Sequence, residues 1–507
     1  MDVDTQRAES AAASPFRPLQ AIVALGSIQA LTMAAGLART KVLALLLGPA
    51  GVGVASVIDQ VVSLVAQLGS LSIPFVALKF LSRARDGSQE DTRRIYDALV
   101  VLLVLASIIS AAIGVVVAFA RPGAFGEGLA PYRAVLLVAL MGVPPFALAP
   151  LLRNAMAALE KHRESALAAF FGAVLTVLGA VIGVRSGGLA GLYIANAAVL
   201  VLTIVAMQWY LGGKLGLRLS ADVRAGVAGH ALRAQRGLFG FAAAMYVLAL
   251  TSPFAYLLAR SLLLSSHGEI EAGLVAGAYG IAVSVRLVLN QANGLYLTPL
   301  VNRNTPKAER IAAVAEYLRI LIVLVAMSTL AIVLFPAQWL ALLYSVKFLG
   351  AVSLVTVFVL AEAVLLLAGV YQALLIGFDD ISGFLVATVG GHLVTIALAR
   401  WLVVPQGGVG VGVAFLAGNG VILIATAIRL LQKHQARQVF APLLPLIAAA
   451  CATGAAGVWV ARGTPPGVLL RVAVLGVGCG LALLFLRGDE RRWLLRPWKG
   501  VRTAQSR

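Results

Sequence analysis

Charge is scarce in this chain. Of its 507 residues only 12% are Asp, Glu, Lys or Arg, about half the share found in a soluble domain, which excludes water as the solvent for most of its surface. Acidic residues are the scarcer sign, 21 against 40 Lys and Arg, leaving a net charge of +19. There are two cysteines, Cys451 and Cys479, each inside a late apolar run, so neither a disulfide framework nor a thiolate metal site is indicated. Polar segments carry no Ser/His/Asp array and no metal-spaced cluster, and no "GK[ST]" follows the glycine strings "GPAGVGV" and "GGVGVGVAFLAGNG". Those glycines read as tight turns and close helix packing rather than phosphate loops. An enzyme has no site to stand on here, and no metal or bound cofactor is called for.

What the chain has is apolar length. Apolar residues make up 61% of it and mean hydropathy is +0.95. Crossing the hydrocarbon takes about 20 apolar residues, and such runs predict an all-α polytopic membrane protein of about fourteen transmembrane helices. The first is at 19–47 and the last two are at 441–461 and 467–486. The first run lacks an A-x-A cleavage site, so it reads as a retained helix. Gly69, Pro74, Pro144, Pro145 and Pro299 predict bent or broken helices. Lys and Arg concentrate in short clusters such as "SRARDGSQEDTRR" and "EKHRES", in the loops after even-numbered spans and in both tails. That bias places both termini in the cytoplasm and accounts for the excess positive charge without nucleic acid.

The chain also resembles itself. "LART" at 37–40 returns as "LARS" at 258–261, and "RSGGLAGLYIAN" around Gly187 returns as "PQGGVGVGVAF" around Gly407. Between them, "RNAMAALEKHRES" from Arg153 is echoed by "YQALLIGFDDIS" from Tyr371. The matches fall in order at nearly one offset, and predict two pseudo-symmetric six-helix bundles related by an axis along the membrane normal. The expected organisation is a cytoplasmic tail 1–18, a first half 19–215, a linker 216–235, a second half 236–435, an extra helix pair 436–487 and a basic tail 488–507.

Two stretches carry a family resemblance. "RTKVLALLLGPAGVGV" and, in the second half, "PFAYLLARSLLLSSHGEIEAGLVAGA" continuing to "NGLYLTPLVNR" make the chain similar to Wzx-type flippases of lipid-linked oligosaccharides. These lie within the MOP superfamily, with MATE exporters and lipid II flippases. The resemblance spans roughly 19–435; the pair at 441–486 exceeds the twelve helices of the nearest Wzx relatives. It implies two bundles around a cavity opening alternately to either side of a bacterial inner membrane. The implied cargo is an undecaprenyl-pyrophosphate-linked oligosaccharide and the partners are the polymerase and glycosyltransferases of surface polysaccharide synthesis; with no ATP-binding motor in the sequence, the expected energy source is an H+ or Na+ gradient or consumption of product.

Ionisable residues inside the spans mark the candidate site, because each costs about 2.5–3.5 kcal/mol at a helix centre on insertion scales unless it faces a cavity or a partner. Arg39, Arg260 and Arg286 are the substrate-binding candidates, since a guanidinium grips pyrophosphate oxygens bidentately and stays charged. Asn290 and Asn293 lie at i+4 and i+7 from Arg286, on its helical face. Gln29, Asn196 and Gln208 are further polar groups along a sugar path. Lys41 reads as snorkelling to an interface, and the same reading stays open for Arg39. Asp59 and Glu362 are the ion-coupling candidates, with pairing to Arg39 an alternative for Asp59; His392 reads as a packing residue. The rival functions are a MATE-like multidrug exporter and a non-transporting scaffold of glycan synthesis.

Overall fold

A computed structural model describes residues 16–74, 77–78, 81–82, 89–121, 123–214, 216–217, 237–293, 297–301, 306–440, five single positions between 448 and 459, and 467–484. For 16–27, 89, 91, 237–245, 291–292, 298–299, 481 and 484 it describes the backbone alone. The expected span at 441–461 therefore lies almost wholly outside the described residues, as do Cys451 and all but the first two residues of the expected 216–235 linker.

The described chain is helical throughout and contains no strand: α1 (Phe16–Ser70), α2 (Gln89–Ala120), α3 (Arg133–Met141), α4 (Val143–Ala158), α5 (His162–Lys214), α6 (Gly237–Ala292), α7 (Thr298–Val301), α8 (Lys307–Leu334), α9 (Pro336–Leu343), α10 (Val352–Gly377), α11 (Ile381–His434) and α12 (Val468–Leu484). Eight described stretches are long and apolar enough to cross a bilayer. With no water in the hydrocarbon, every backbone polar group must bond within its own segment, which only a helix allows for these sequences. The chain is an all-α polytopic membrane protein.

Four of the helices, α1, α5, α6 and α11, are 53 to 56 residues long, too long for one crossing of about 20 residues. Each is two helices joined at glycine. The joints are Gly48 (φ 65°, ψ −174°), Gly188 (56°, −136°), Gly268 (81°, −177°) and Gly407 (56°, −132°). Positive φ with these ψ values is tolerated without strain only by glycine. The joints pair by conformation: Gly48 with Gly268, 220 residues apart, and Gly188 with Gly407, 219 apart. A third pair is non-glycine. Glu160 (φ 59°) and Asp379 (φ 56°) occupy the left-handed position of the same helix-ending turn. In one, Glu160 N–H donates to Ala157 O at 3.0 Å and Lys161 N–H to Met156 O at 2.8 Å. In the other, Asp379 N–H donates to Ile376 O at 3.0 Å and Asp380 N–H to Leu375 O at 2.8 Å. The repeat read from sequence is thus written into the backbone, three times, at offsets of 219 or 220 residues.

The breaks at proline follow expectation. Helix α1 ends at Leu71 and Ser72, both at positive φ, just before Pro74. Pro144 and Pro145 open α4 after a break at Gly142, where a missing N–H costs nothing.

Two compact units result: Met1–Leu47, Val61–Pro122 and Tyr132–Tyr246 form the first, and Gly48–Gln60, Gly123–Pro131 and Val247–Arg507 the second. In the first unit α2, α3, α4 and α5 pack around buried Tyr96, Leu103, Leu136, Leu140 and Leu151. The two arms of α5 fold back on each other, Gly183 against Gly191 with no room for a side chain, the small-residue packing expected where lipid supplies no hydrophobic drive. On α2 the residues Ile109, Ile113 and Val116 are 59%, 59% and 64% exposed, a spacing that turns one apolar face to lipid.

The second unit is built on α8, α10 and α11, with Leu318, Leu367, Tyr371, Leu374 and Leu430 in its core. The Tyr371 hydroxyl donates to Val439 O at 3.1 Å. Helix α12 docks onto α8, where Arg471 Nη1 donates to the terminal carbonyl of Leu334 at 3.1 Å. Within this unit the two glycine joints meet reciprocally. Gly53 lies against the Glu269 carbonyl and Gly273 against the Pro49 carbonyl, neither with space for a Cβ. Both contacting pairs are related by the 220-residue offset, so the "LGPAGVG" string and its counterpart are a helix junction.

Candidate functional site

Most of the candidate residues fall in the second unit, along α6. Arg260 sits eight residues before Gly268 and is 7% exposed. Its guanidinium carbon lies 4.7 Å from the centroid of the Tyr279 ring, and Nη1 donates to the backbone carbonyl of Ser56 at 3.4 Å. Nε has no hydrogen-bond partner among the described residues, and no described carboxylate forms an ion pair with the side chain. A desolvated cation–π contact is worth about 2 kcal/mol, less than the insertion cost of the charge. The carboxylate whose charge acts on Arg260, that of Glu362, is already in ion-pair contact with Arg286.

Tyr279 belongs to an aromatic group that lines this polar region. Its ring centroid is 5.9 Å from that of Tyr256 and 5.9 Å from that of Phe358. Tyr256 in turn stands 4.6 Å from Phe415 and 6.4 Å, edge-on, from His392. His392 is 5% exposed, in keeping with a packing role. The two tyrosines are absent from the sequence candidates. Their signal is a phenol hydroxyl inside an apolar run, which charge-weighted reading passes over.

About two helical turns beyond Tyr279 along α6, Arg286 Nε donates to Glu362 Oε2 of α10. The carboxylate is 2% exposed and the guanidinium 25%. Residues read separately from sequence, one for cargo and one for coupling, thus form a single interhelical ion pair. Beside them is a cavity of about 10 Å³, room for about one water, lined by Arg286, Glu362, Thr329 and apolar side chains of α6, α8 and α10. Glu362 Oε1 has no hydrogen-bond partner among the described residues.

Asn290 and Asn293 bond to each other, Nδ2 of Asn293 to Oδ1 of Asn290 at 3.0 Å, and the Tyr317 hydroxyl donates to Asn293 Oδ1 at 2.5 Å. Asn290 remains exposed and Asn293 is buried. The structure brings these two together on the same helix as Arg286 but gives them their own partners. Asp59 is exposed. Gln208, read as part of a sugar path, is occupied locally: it accepts from Tyr96 at 2.6 Å and donates to Leu217 O at 3.0 Å.

Arg39 lies in the first unit, half-buried, with Nε unbonded among the described residues. Its expected equivalence to Arg260 shifts by one residue. Arg39 is nine residues before its joint glycine and Arg260 eight before its own, so Arg260 aligns with Thr40. One residue is about 100° of helix rotation, and the two guanidiniums leave their helices in different directions.

A further charged cluster stabilises the turn between α10 and α11. Asp380 caps α11, accepting from Gly383 N–H at 3.3 Å. It also accepts from Arg429 Nε at 2.9 Å and Nη2 at 3.2 Å, Lys433 Nζ at 3.0 Å and His434 Nε2 at 3.1 Å. Arg429 foremost, with Lys433 and His434, holds the Asp380 carboxyl far below the usual carboxylate range.

No family model matches the chain. It is 25% identical over 389 residues to the "Lipid III flippase" of Escherichia coli (strain K12), covering 76% of this chain and 91% of that protein, and equally to that of Shigella flexneri. Among solved structures it superposes on "Lipid II flippase MurJ, inward closed conformation" with TM-score 0.64 at 12% identity, covering 91% of this chain and 98% of the other. It superposes on an inward-facing multidrug resistance MATE family transporter of the MOP superfamily with TM-score 0.61 at 14% identity, covering 82% and 95%. These likenesses establish the fold as that of MOP-superfamily transporters.

Proposed function

We propose that the protein is a flippase that carries an undecaprenyl-pyrophosphate-linked oligosaccharide from the cytoplasmic to the outer face of a bacterial inner membrane by alternating access. The observation that carries this reading is Arg260, a buried membrane cation held over Tyr279 with no carboxylate in ion-pair contact. A doubly acidic pyrophosphate supplies the missing counter-charge. The name of the 25% identical relatives points to the same class of lipid-linked cargo. Arg286 acts on the same anion, and Asn290 and Asn293 bond sugar hydroxyls.

The Arg286–Glu362 pair is the coupling element in this reading. With Glu362 ionised, Arg286 is neutralised and holds α6 to α10. A proton on Glu362, or a Na+ beside it, releases the guanidinium to the cargo's phosphates, so that loading and ion binding are linked through one equilibrium. Both termini lie in the cytoplasm, and the polymerase and glycosyltransferases of polysaccharide assembly act on either side of the step. The MATE-like exporter of cationic drugs would share the fold, yet a buried unpaired arginine repels cationic cargo.

The test is reconstitution into liposomes with a fluorescent lipid-linked oligosaccharide, scored by quenching from one side, with and without H+ and Na+ gradients. Arg260→Ala is expected to abolish flipping while inserting normally. Normal transport by that variant, or transport of cationic dyes by the wild type with no effect on the lipid, overturns the proposal.

A further inference from the structure

The first unit contains a pocket that the transport reading does not use. It measures about 310 Å³ and lies between α1, the end of α4 and the start of α5, at the low end of the roughly 300–1,000 Å³ of ligand sites. Its polar lining is Gln29, Arg153, Asn154, His162 and Ser165, over a floor of Pro150 and three alanines. Arg153 is exposed into it, and no described residue makes an ion pair or a hydrogen bond with its guanidinium. Asn154 is held in place, Nδ2 donating to Pro74 O at 2.8 Å, and the Ser165 hydroxyl donates to Arg153 O at 3.4 Å. The amide oxygen of Asn154 and the side chains of Gln29 and His162 remain available to a ligand.

The second unit is an internal control. The turn that borders the pocket recurs there with the same left-handed residue and the same two hydrogen bonds, 219 positions on. At that offset Arg153 becomes Gln372, His162 becomes Ile381, Ser165 becomes Phe384 and Ala169 becomes Thr388. Gln372 Nε2 donates to Thr388 Oγ1 at 2.8 Å, and Phe384 packs against the core. The equivalent of Lys161 is Asp380, an acidic residue that pairs with Arg429 and Lys433. There the place of Arg153 is taken by a neutral amide bonded within the unit, and the basic side chains at the turn, Arg429 and Lys433, are held by Asp380. The polar lining of the first unit is not something the architecture demands.

We infer that this pocket is a binding site for a phosphate group carrying a polyhydroxylated substituent, with Arg153 on the phosphate and Gln29, Asn154 and His162 on the hydroxyls. A guanidinium fork matches two phosphate oxygens, and the cluster of neutral donors and acceptors matches a sugar or a glycerol. Two sources share this chemistry, a glycosyl phosphate and the headgroup of phosphatidylglycerol. Binding is measured without transport, so the inference stands or falls separately from the flippase reading.

The experiment follows the thermal unfolding midpoint of the purified full-length protein in detergent. The probes are N-acetylglucosamine 1-phosphate and phosphatidylglycerol, with N-acetylglucosamine and phosphatidylcholine as uncharged and zwitterionic controls. The midpoint is expected to rise with at least one phosphorylated probe and with neither control. Arg153→Gln is expected to raise the half-saturating concentration at least tenfold. Ala166→Phe, which fills the floor and leaves every polar group in place, is expected to do the same, and Arg153→Gln alone decides the matter if it fails to fold. A response to the glycosyl phosphate assigns the site to a sugar phosphate, and a response to phosphatidylglycerol assigns it to a membrane lipid. No response to either probe, or a response unchanged in Arg153→Gln, overturns the inference.

Discussion

Removing one charge of the Arg286–Glu362 pair should harm the protein more than removing both. Glu362 is 2% exposed and Arg286 25%, so neither regains full hydration when its partner is deleted. Two magnitudes bracket the effect. Neutral interhelical hydrogen bonds in a membrane average about 0.6 kcal/mol, and breaking a buried ion pair by truncating one partner costs about 3–5 kcal/mol. The near-complete burial of the carboxylate puts Glu362→Leu toward the upper figure, and the partial exposure of the guanidinium tempers it, giving about 2–4 kcal/mol. Arg286→Met should cost less, because an orphaned carboxyl can take up a proton and become neutral, whereas an orphaned guanidinium cannot. The double variant, with an apolar pair of similar volume, should lie within about 1 kcal/mol of wild type or above it. The assay is equilibrium unfolding by SDS in mixed micelles, read by tryptophan fluorescence for all four proteins. A coupling energy of about 2 kcal/mol or more is expected, with transport lost in the double variant despite its stability. Strict additivity of the two single variants, within about 0.5 kcal/mol, would refute the claim that the pair is one electrostatic unit.

Other perturbations separate the remaining elements. Arg260→Lys keeps the charge but loses the planar contact with Tyr279 and the bidentate fork; transport should fall at least tenfold while cargo remains bound, measured by liposome flipping and by binding. Gly53→Ala and Gly273→Ala each press a methyl into a backbone carbonyl, and each should cost about 1–3 kcal/mol, seen as lower detergent-solubilised yield and an earlier unfolding midpoint. Asp380 has a depressed folded pKa, so its contribution to stability is complete above the unfolded value of about 3.9 and declines as pH falls toward the folded value. Wild type should therefore lose stability between about pH 5 and pH 3 more steeply than Asp380→Asn, followed by unfolding midpoints at each pH; parallel curves would contradict the cluster's role.

Much of the fold is legible in the sequence because membrane insertion is judged segment by segment. A run of about 20 apolar residues crosses wherever it occurs, and positions such as Gly188 and Gly407 announce a joint because no other residue adopts their backbone freely. The candidate site is less legible. Arg260, Arg286 and Glu362 stand out as expensive charges in apolar runs, but their partners do not. Tyr279 is unremarked until its ring is found under Arg260, and Arg153 looks like one more basic residue near a loop until a cavity opens beside it. The one-residue slip between Arg39 and Arg260 is the plainest case: three matching letters align them, and the distance to the glycine joint rotates them apart.

The sequence by itself determined the class of protein, the two-fold repeat and the places where helices must break. All of these depend on hydrophobicity and local backbone freedom, which act along the chain. Only the tertiary structure decided that Arg286 and Glu362, 76 residues apart, neutralise each other, that Arg260 lies over Tyr279 with no carboxylate in ion-pair contact, and that a pocket opens beside Arg153. Those outcomes depend on helix rotation and on which faces meet, and a single turn of packing changes them without changing a residue.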